Sequence, residues 1–173
     1  QGRMTPFEQA YAFVRRWEGG DSEPRPGDPN PTSRGLTQAT YDGLAATFGW
    51  PQQPVFTLTE EQVRTAYAAL WSQALCNTLP HPLGWVHFDA VVNCGPERAV
   101  KLLQLAVGER ADGAFGPKTA AAIRKADART AATAALNNRD RFYQDLAKQN
   151  PDKARWLRGW LNRTKDLRKA VGL

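Results

Sequence analysis

The sequence is poor in the residues that build redox, metal and nucleotide sites. It has two cysteines (Cys76 and Cys94), two histidines (His81 and His87) and one methionine (Met4). The cysteines form no C-x-x-C pair, so they read as buried free thiols, with a disulfide across that spacing left open. The histidines lack an H-E-x-x-H pattern, and neither a G-x-x-x-x-G-K-[ST] nor a G-x-G-x-x-G run occurs, so no metal and no cofactor are expected. No apolar stretch approaches the ~20 residues that cross a bilayer, so no stable membrane insertion is expected. With Met4 read as the native start and Gln1-Gly2-Arg3 as a cloning remnant, no secretory signal is expected. Thr5 to Glu18 is amphipathic, not a charged head followed by an apolar core.

What is present starts with an uneven charge. Residues 1–95 carry 6 Lys/Arg against 9 Asp/Glu, and residues 96–173 carry 17 against 8. An acidic half followed by a basic half points to an anionic polymer, either nucleic acid or the bacterial envelope. No recognition motif accompanies the basic half, so nucleic acid is not the expected partner. The 173 residues suit one domain or two small lobes sharing a core, and a monomer is expected.

The punctuation is helical. Thr5-Pro6-Phe7-Glu8 predicts a capping box with proline in the first turn. Phe7, Tyr11, Val14 and Glu18 then share a face, with Ala10 and Trp17 beside it, and Gly19-Gly20 ends the helix. Residues 21–36, with four prolines, form a long loop with room for a short β-hairpin; loops of this length are usually functional. Further helices are expected from Thr37 to Phe48 and from a Thr59/Gln62 cap through Ala74. Another runs from Leu83 to Cys94, apolar nearly all round and therefore central. Others follow over Pro96 to Val107, Pro117 to Ala126 and Ala128 to Gln149, with a last one beyond Asn150-Pro151. The fold class is all-α, with room for a small β-hairpin in the loop region.

Glu18 is the residue that calls for a reason. It ends its helix on an otherwise apolar face, where burial and the negative end of the helix dipole both disfavour the charged form. A carboxyl kept protonated is what a glycosidase needs to protonate a leaving oxygen. On the helix pattern alone, a solvent-facing or salt-bridged glutamate before a turn is the stronger reading.

The neighbouring residues add a resemblance. Trp17-Glu18-Gly19-Gly20, Gly27-Asp28-Pro29, Thr32 and Gly35-Leu36-Thr37 resemble the opening of glycoside hydrolase family 108, the lysozyme-like N-acetylmuramidases. Phe88-Asp89-Ala90-Val91-Val92-Asn93-Cys94-Gly95 resembles a later segment of the same family. Leu103-Gln104, Asp112 to Thr119 and Gly159 to Arg163 resemble the peptidoglycan-binding segment that commonly follows it. Two departures stand out: Asp21 replaces an aromatic residue after E-G-G, and Asn30-Pro31 replaces a glycine pair. The resemblance implies a lysozyme-like helical fold, with a catalytic lobe over 4–95 and a helical wall-binding lobe over 96–173, packed as one compact unit.

It also implies roles, in the Glu, Asp, Thr order of the phage-type lysozymes. Glu18 would be the general acid, Asp28 the second carboxylate that orients water or stabilises positive charge, and Thr32 a partner for that water. Asp21 and Glu23 are the rival second carboxylates, and Asp28 before Pro29 is also a plain turn residue. Asp89 and Asn93 share a helix face; they either tie the central helix to the active-site loop or touch substrate directly, Asn93 being the substrate-binding candidate. Trp50 and Trp85, beside turns, are candidate sugar platforms, whereas the i, i+4 pair Trp156 and Trp160 reads as core. The expected partner is peptidoglycan. The expected activity is cleavage of the bond between N-acetylmuramic acid and N-acetylglucosamine by a phage or prophage endolysin or an exported effector, made in the cytoplasm and acting on the wall. Lytic transglycosylation and a non-catalytic wall-binding or secretion-accessory role are the alternatives.

Overall fold

The computed structural model describes residues 2–19 and 31–173. The described residues are mainly helical, with one two-stranded sheet. The chain divides into two compact units, Gln1–Gln73 and Ala74–Leu173.

In the first unit, α1 (Pro6–Glu18) begins with the expected capping box: Thr5 and Glu8 each accept the other's backbone N–H. The helix buries Ala10, Phe13 and Val14 and ends at Gly19, whose φ of 66° is a conformation that suits glycine. The antiparallel strands β1 (Thr32–Ser33) and β2 (Leu36–Thr37) pair Thr32 with Thr37 and Ser33 with Leu36. The hairpin therefore lies at the very end of the 21–36 loop and reaches one residue beyond it. Thr37 closes β2 and also caps α2 (Gln38–Phe48), which ends at a left-handed Gly49. A 3₁₀ turn, Val55–Thr57, leads to α3 (Glu60–Gln73). Here Thr59 and Gln62 exchange backbone–side-chain hydrogen bonds, and Leu58 and Val63 are both buried. The helix α3 packs on α1 and α2 through Val63, Ala66, Tyr67 and Trp71.

The second unit is built around α4 (Leu83–Cys94), buried along most of its length as its composition predicts. Around it pack α5 (Pro96–Ala106) and α7 (Ala128–Gln149), and α8 (Leu157–Val171) packs on α7. The short α6 (Pro117–Lys125) follows a turn organised by Gln104, which is 1% exposed. Its amide nitrogen donates to Asp112, the Ala114 carbonyl and Thr119, and its oxygen accepts from the Gly113 N–H. These bonds give the Asp112–Thr119 motif a structural job. Both cysteines are free thiols; burial pushes Cys76 up to about 12.

Trp156 departs from the sequence reading. It is 46% exposed, with the Arg155 guanidinium 4.3 Å from its ring. Trp156 closes a wholly unburied 3₁₀ segment, Pro151–Trp156, and only caps α8, so it does not share the helical register of Trp160. Trp160 instead stacks on Tyr143 at 5.0 Å.

His87, on α4, is 3% exposed, and its Nε2 has no hydrogen-bond partner among the described residues. Burial pushes its imidazole down to about 4. An unfolded chain takes up this proton near pH ~6.5, so the titration of His87 does not affect the fold above that pH and weakens it progressively as pH falls toward 4. Replacing it, as in His87→Leu, should flatten the pH dependence of unfolding in that window. Urea titrations across the range test this, and an unchanged slope would place the acid sensitivity elsewhere.

Candidate active site

Glu18 is half-buried in the last turn of α1, and the β1–β2 turn lies directly against it. A methyl group added to Gly35 would sit 2.5 Å from Glu18 Cγ, 2.7 Å from Glu18 Cβ and 2.7 Å from the Tyr67 hydroxyl. Gly35 has φ of 82° and Arg34 has φ of 52°. This two-residue turn is the left-handed type that matches strand twist, and glycine meets it at no steric cost. At Arg34 the same conformation costs on the order of 1 kcal/mol.

The guanidinium of Arg34 offsets that cost. It donates to the Leu58 carbonyl at 2.6 Å, to Glu60 at 3.0 Å and to the Ser33 hydroxyl at 3.1 Å. The Tyr67 hydroxyl donates to the Arg34 carbonyl at 2.8 Å. Arg15 works from the other side, donating to the Gly19 carbonyl at 3.0 Å and pairing with Glu60 at 3.4 Å. Glu60 thus joins the residue after Glu18 to the turn that covers it. The hydrogen bond from Arg34, with the Arg15 and Arg34 charges, holds Glu60 below the usual carboxylate range.

Gly35→Ala is therefore expected to displace either the turn or Glu18. Misplacement by about 1 Å can cost 10²-fold in rate, so turnover should fall at least about tenfold. The strained turn should also lose ~1–3 kcal/mol of stability. Lytic rate and melting temperature read the two effects separately, and unchanged turnover would show that the turn does not position Glu18.

Thr32 stands on β1 of the same hairpin, paired with Thr37. Asp28, Asp21 and Glu23 lie outside the described residues. Trp50 lines a surface pocket with Tyr41 and Pro51. In the second unit, Trp85 is half-buried on α4, with its ring 6.3 Å from that of His81. Asn93, also half-buried, accepts hydrogen bonds from Arg139 Nη2 at 3.2 Å and from the Tyr143 hydroxyl. Asp89, fully buried, pairs at 2.8 Å with both Arg139 and Arg163. Among the described residues, these partners of Asp89 and Asn93 belong to α7 and α8, which tie the central helix to the basic half. Tyr67, Arg34, Glu60 and Arg139 were absent from the sequence-derived candidates. Among the described residues, no cluster of His, Cys, Asp and Glu could hold a metal ion.

The comparisons place two family matches in order along the chain. Residues 11–95 match the family model described as Glycosyl hydrolase 108, and residues 98–165 match one described as a predicted peptidoglycan domain. The structure of Brucella abortus SagA is similar, at 29% identity and a TM-score of 0.77, over 96% of this chain and 94% of that one. No curated protein sequence matches. By these matches the chain belongs with the glycoside hydrolases that act on peptidoglycan. The family is glycosyl hydrolase 108, here followed by its peptidoglycan domain. No helix among the described residues is long and apolar enough to cross a membrane.

Proposed function

We propose that the protein is an N-acetylmuramidase, cutting the bond between N-acetylmuramic acid and N-acetylglucosamine with Glu18 as general acid. The observation that carries this reading is the bare Cα of Gly35 set against the Glu18 side chain, with Tyr67 and Arg34 holding the turn in place. A turn fixed on one carboxyl restricts its rotamers, which suits a group that must deliver a proton along one direction. Asp28 supplies the second carboxylate, across the sugar ring, and Thr32 helps hold the attacking water. The catalytic lobe spans 4–95, and the basic residues of 96–173 hold the anionic wall by charge.

The experiment is product analysis of purified peptidoglycan digested by the wild type and by Glu18→Gln. Hydrolysis leaves a reducing N-acetylmuramic acid end; a 1,6-anhydro end would make the enzyme a lytic transglycosylase, and no product would leave a binding protein. In the same assay Asp28→Asn should lower turnover more than Asp21→Asn or Glu23→Gln. A larger loss at either rival moves the second carboxylate there.

A further inference from the structure

The first unit carries a surface pocket whose lining does not include Glu18 or the β1–β2 hairpin. Tyr41, Trp50, Pro51, Glu61, Gln62 and Thr65 line a surface pocket of about 270 Å³. Its aromatic side is built, not incidental. Trp50 stacks on the half-exposed Phe48 at 5.2 Å and lies 6.4 Å from Tyr41, whose hydroxyl donates to the Pro51 carbonyl at 2.8 Å. The opposite side is α3. Glu61 and Thr65 stand one turn apart, and Gln62 is fixed by its cap bonds with Thr59 and its contact with Gln53. At ~100° per residue, Thr65 lies roughly 160° around α3 from Tyr67. The pocket residues therefore occupy a different face of the helix from the one that meets Gly35.

The chemistry of the lining selects a ligand class. No lysine or arginine contributes among the described residues, so an anionic group finds no counter-charge. The polar groups are a carboxylate, a carboxamide and a hydroxyl, which together accept from and donate to a ligand rich in hydroxyl and amide groups. The partly exposed Trp50 ring, backed by the buried Tyr41, offers the apolar body that packs against the C–H face of a pyranose. We propose that this pocket is a secondary saccharide site that takes one N-acetylhexosamine unit of a glycan strand. The proposal rests on the peptidoglycan-hydrolase reading only for the identity of the polymer. A second grip on the same strand raises the effective concentration of the polymer at the catalytic residue without adding chemistry there.

The test is a titration of the isotope-labelled full chain carrying Glu18→Gln with tri-N-acetylchitotriose, followed by NMR. Backbone amides of Trp50, Gln52, Gln53 and residues 61–65 should shift together along one binding curve. In the exposed double variant Glu61→Ala/Thr65→Ala the Kd for that curve should rise about fivefold or more, the equivalent of one net hydrogen bond. Trp50→Ala should abolish the curve. Shifts absent from these amides at saturation, shifts confined to the β1–β2 hairpin and the end of α1, or a Kd unchanged in the double variant would each overturn the proposal. Cleavage of the trisaccharide by the Glu18→Gln protein would overturn the role of Glu18, while the binding curve still decides for or against the pocket.

Discussion

Glu18→Gln should keep the fold and lose lytic activity by about 10²–10⁴-fold, the usual contribution of a general acid. Glutamine has nearly the shape of glutamic acid, so the close approach of Gly35 to Cβ and Cγ of residue 18 is preserved. The amide cannot deliver a proton to a leaving oxygen. The capping box of α1 and the ties from Arg15 and Arg34 to Glu60 are untouched, so the melting temperature should move little. Turbidity loss of purified walls gives the rate, and a melting curve of the same sample guards against misfolding. Activity within about threefold of the wild type would remove Glu18 from the chemistry. A lost activity with a collapsed melting curve would make Glu18 a structural residue instead.

Much of the helical frame is legible in the sequence because it is punctuated locally. Thr5 with Glu8 and Thr59 with Gln62 are capping signals spaced three residues apart, and they act as such. The nearly all-round apolar composition of Leu83–Cys94 announces a central helix. The hairpin is harder to place because its turn is Arg34-Gly35. An arginine at positive φ carries no turn signal by itself; Leu58, Glu60 and Tyr67, distant in sequence, hold it. Tyr67 reads as part of an apolar face, which it is, but its hydroxyl also fixes the turn over Glu18. The i, i+4 spacing of Trp156 and Trp160 misleads because the chain there winds as a 3₁₀ segment before α8 begins. The residue types around Asp89 point to a buried polar contact. Its partners, Arg139 and Arg163, lie too far along the chain for periodicity to pair them.

That buried contact sets the second large expectation. Asp89 is fully buried between two guanidiniums, and Arg139 also donates to Asn93 and to the Tyr143 hydroxyl. Burial by itself would raise the Asp89 carboxyl; the Arg139 and Arg163 charges overcome it and hold the group below its ordinary value. Removing one partner of a buried ion pair leaves an uncompensated charge and typically costs ~3–5 kcal/mol. Here two arginines would be stranded, so Asp89→Ala should lie at the upper end of that range or fail to fold. The milder Asp89→Asn keeps the shape and tests the charge alone. Because the folded carboxyl titrates below the unfolded one, its stabilisation is complete above pH ~4 and fades only as pH falls through the lowered value. The gap in urea midpoint between wild type and Asp89→Asn should therefore be constant from neutral pH to about 4 and narrow below it. A gap that closes well above pH 4 would assign the stabilisation to another group. The same contact bears on dissection of the chain. The hydrolase-family match ends at residue 95, yet α4 takes its ion-pair partners from α7 and α8, within the peptidoglycan-domain match. A protein ending at Gly95 should expose the apolar surface of α4 with Asp89 unpaired. It should appear as an aggregate, or as a partly folded species that exchanges its α4 amides rapidly. A monomeric, protected and lytic fragment would show that the ion pair is dispensable and that residues 4–95 fold alone.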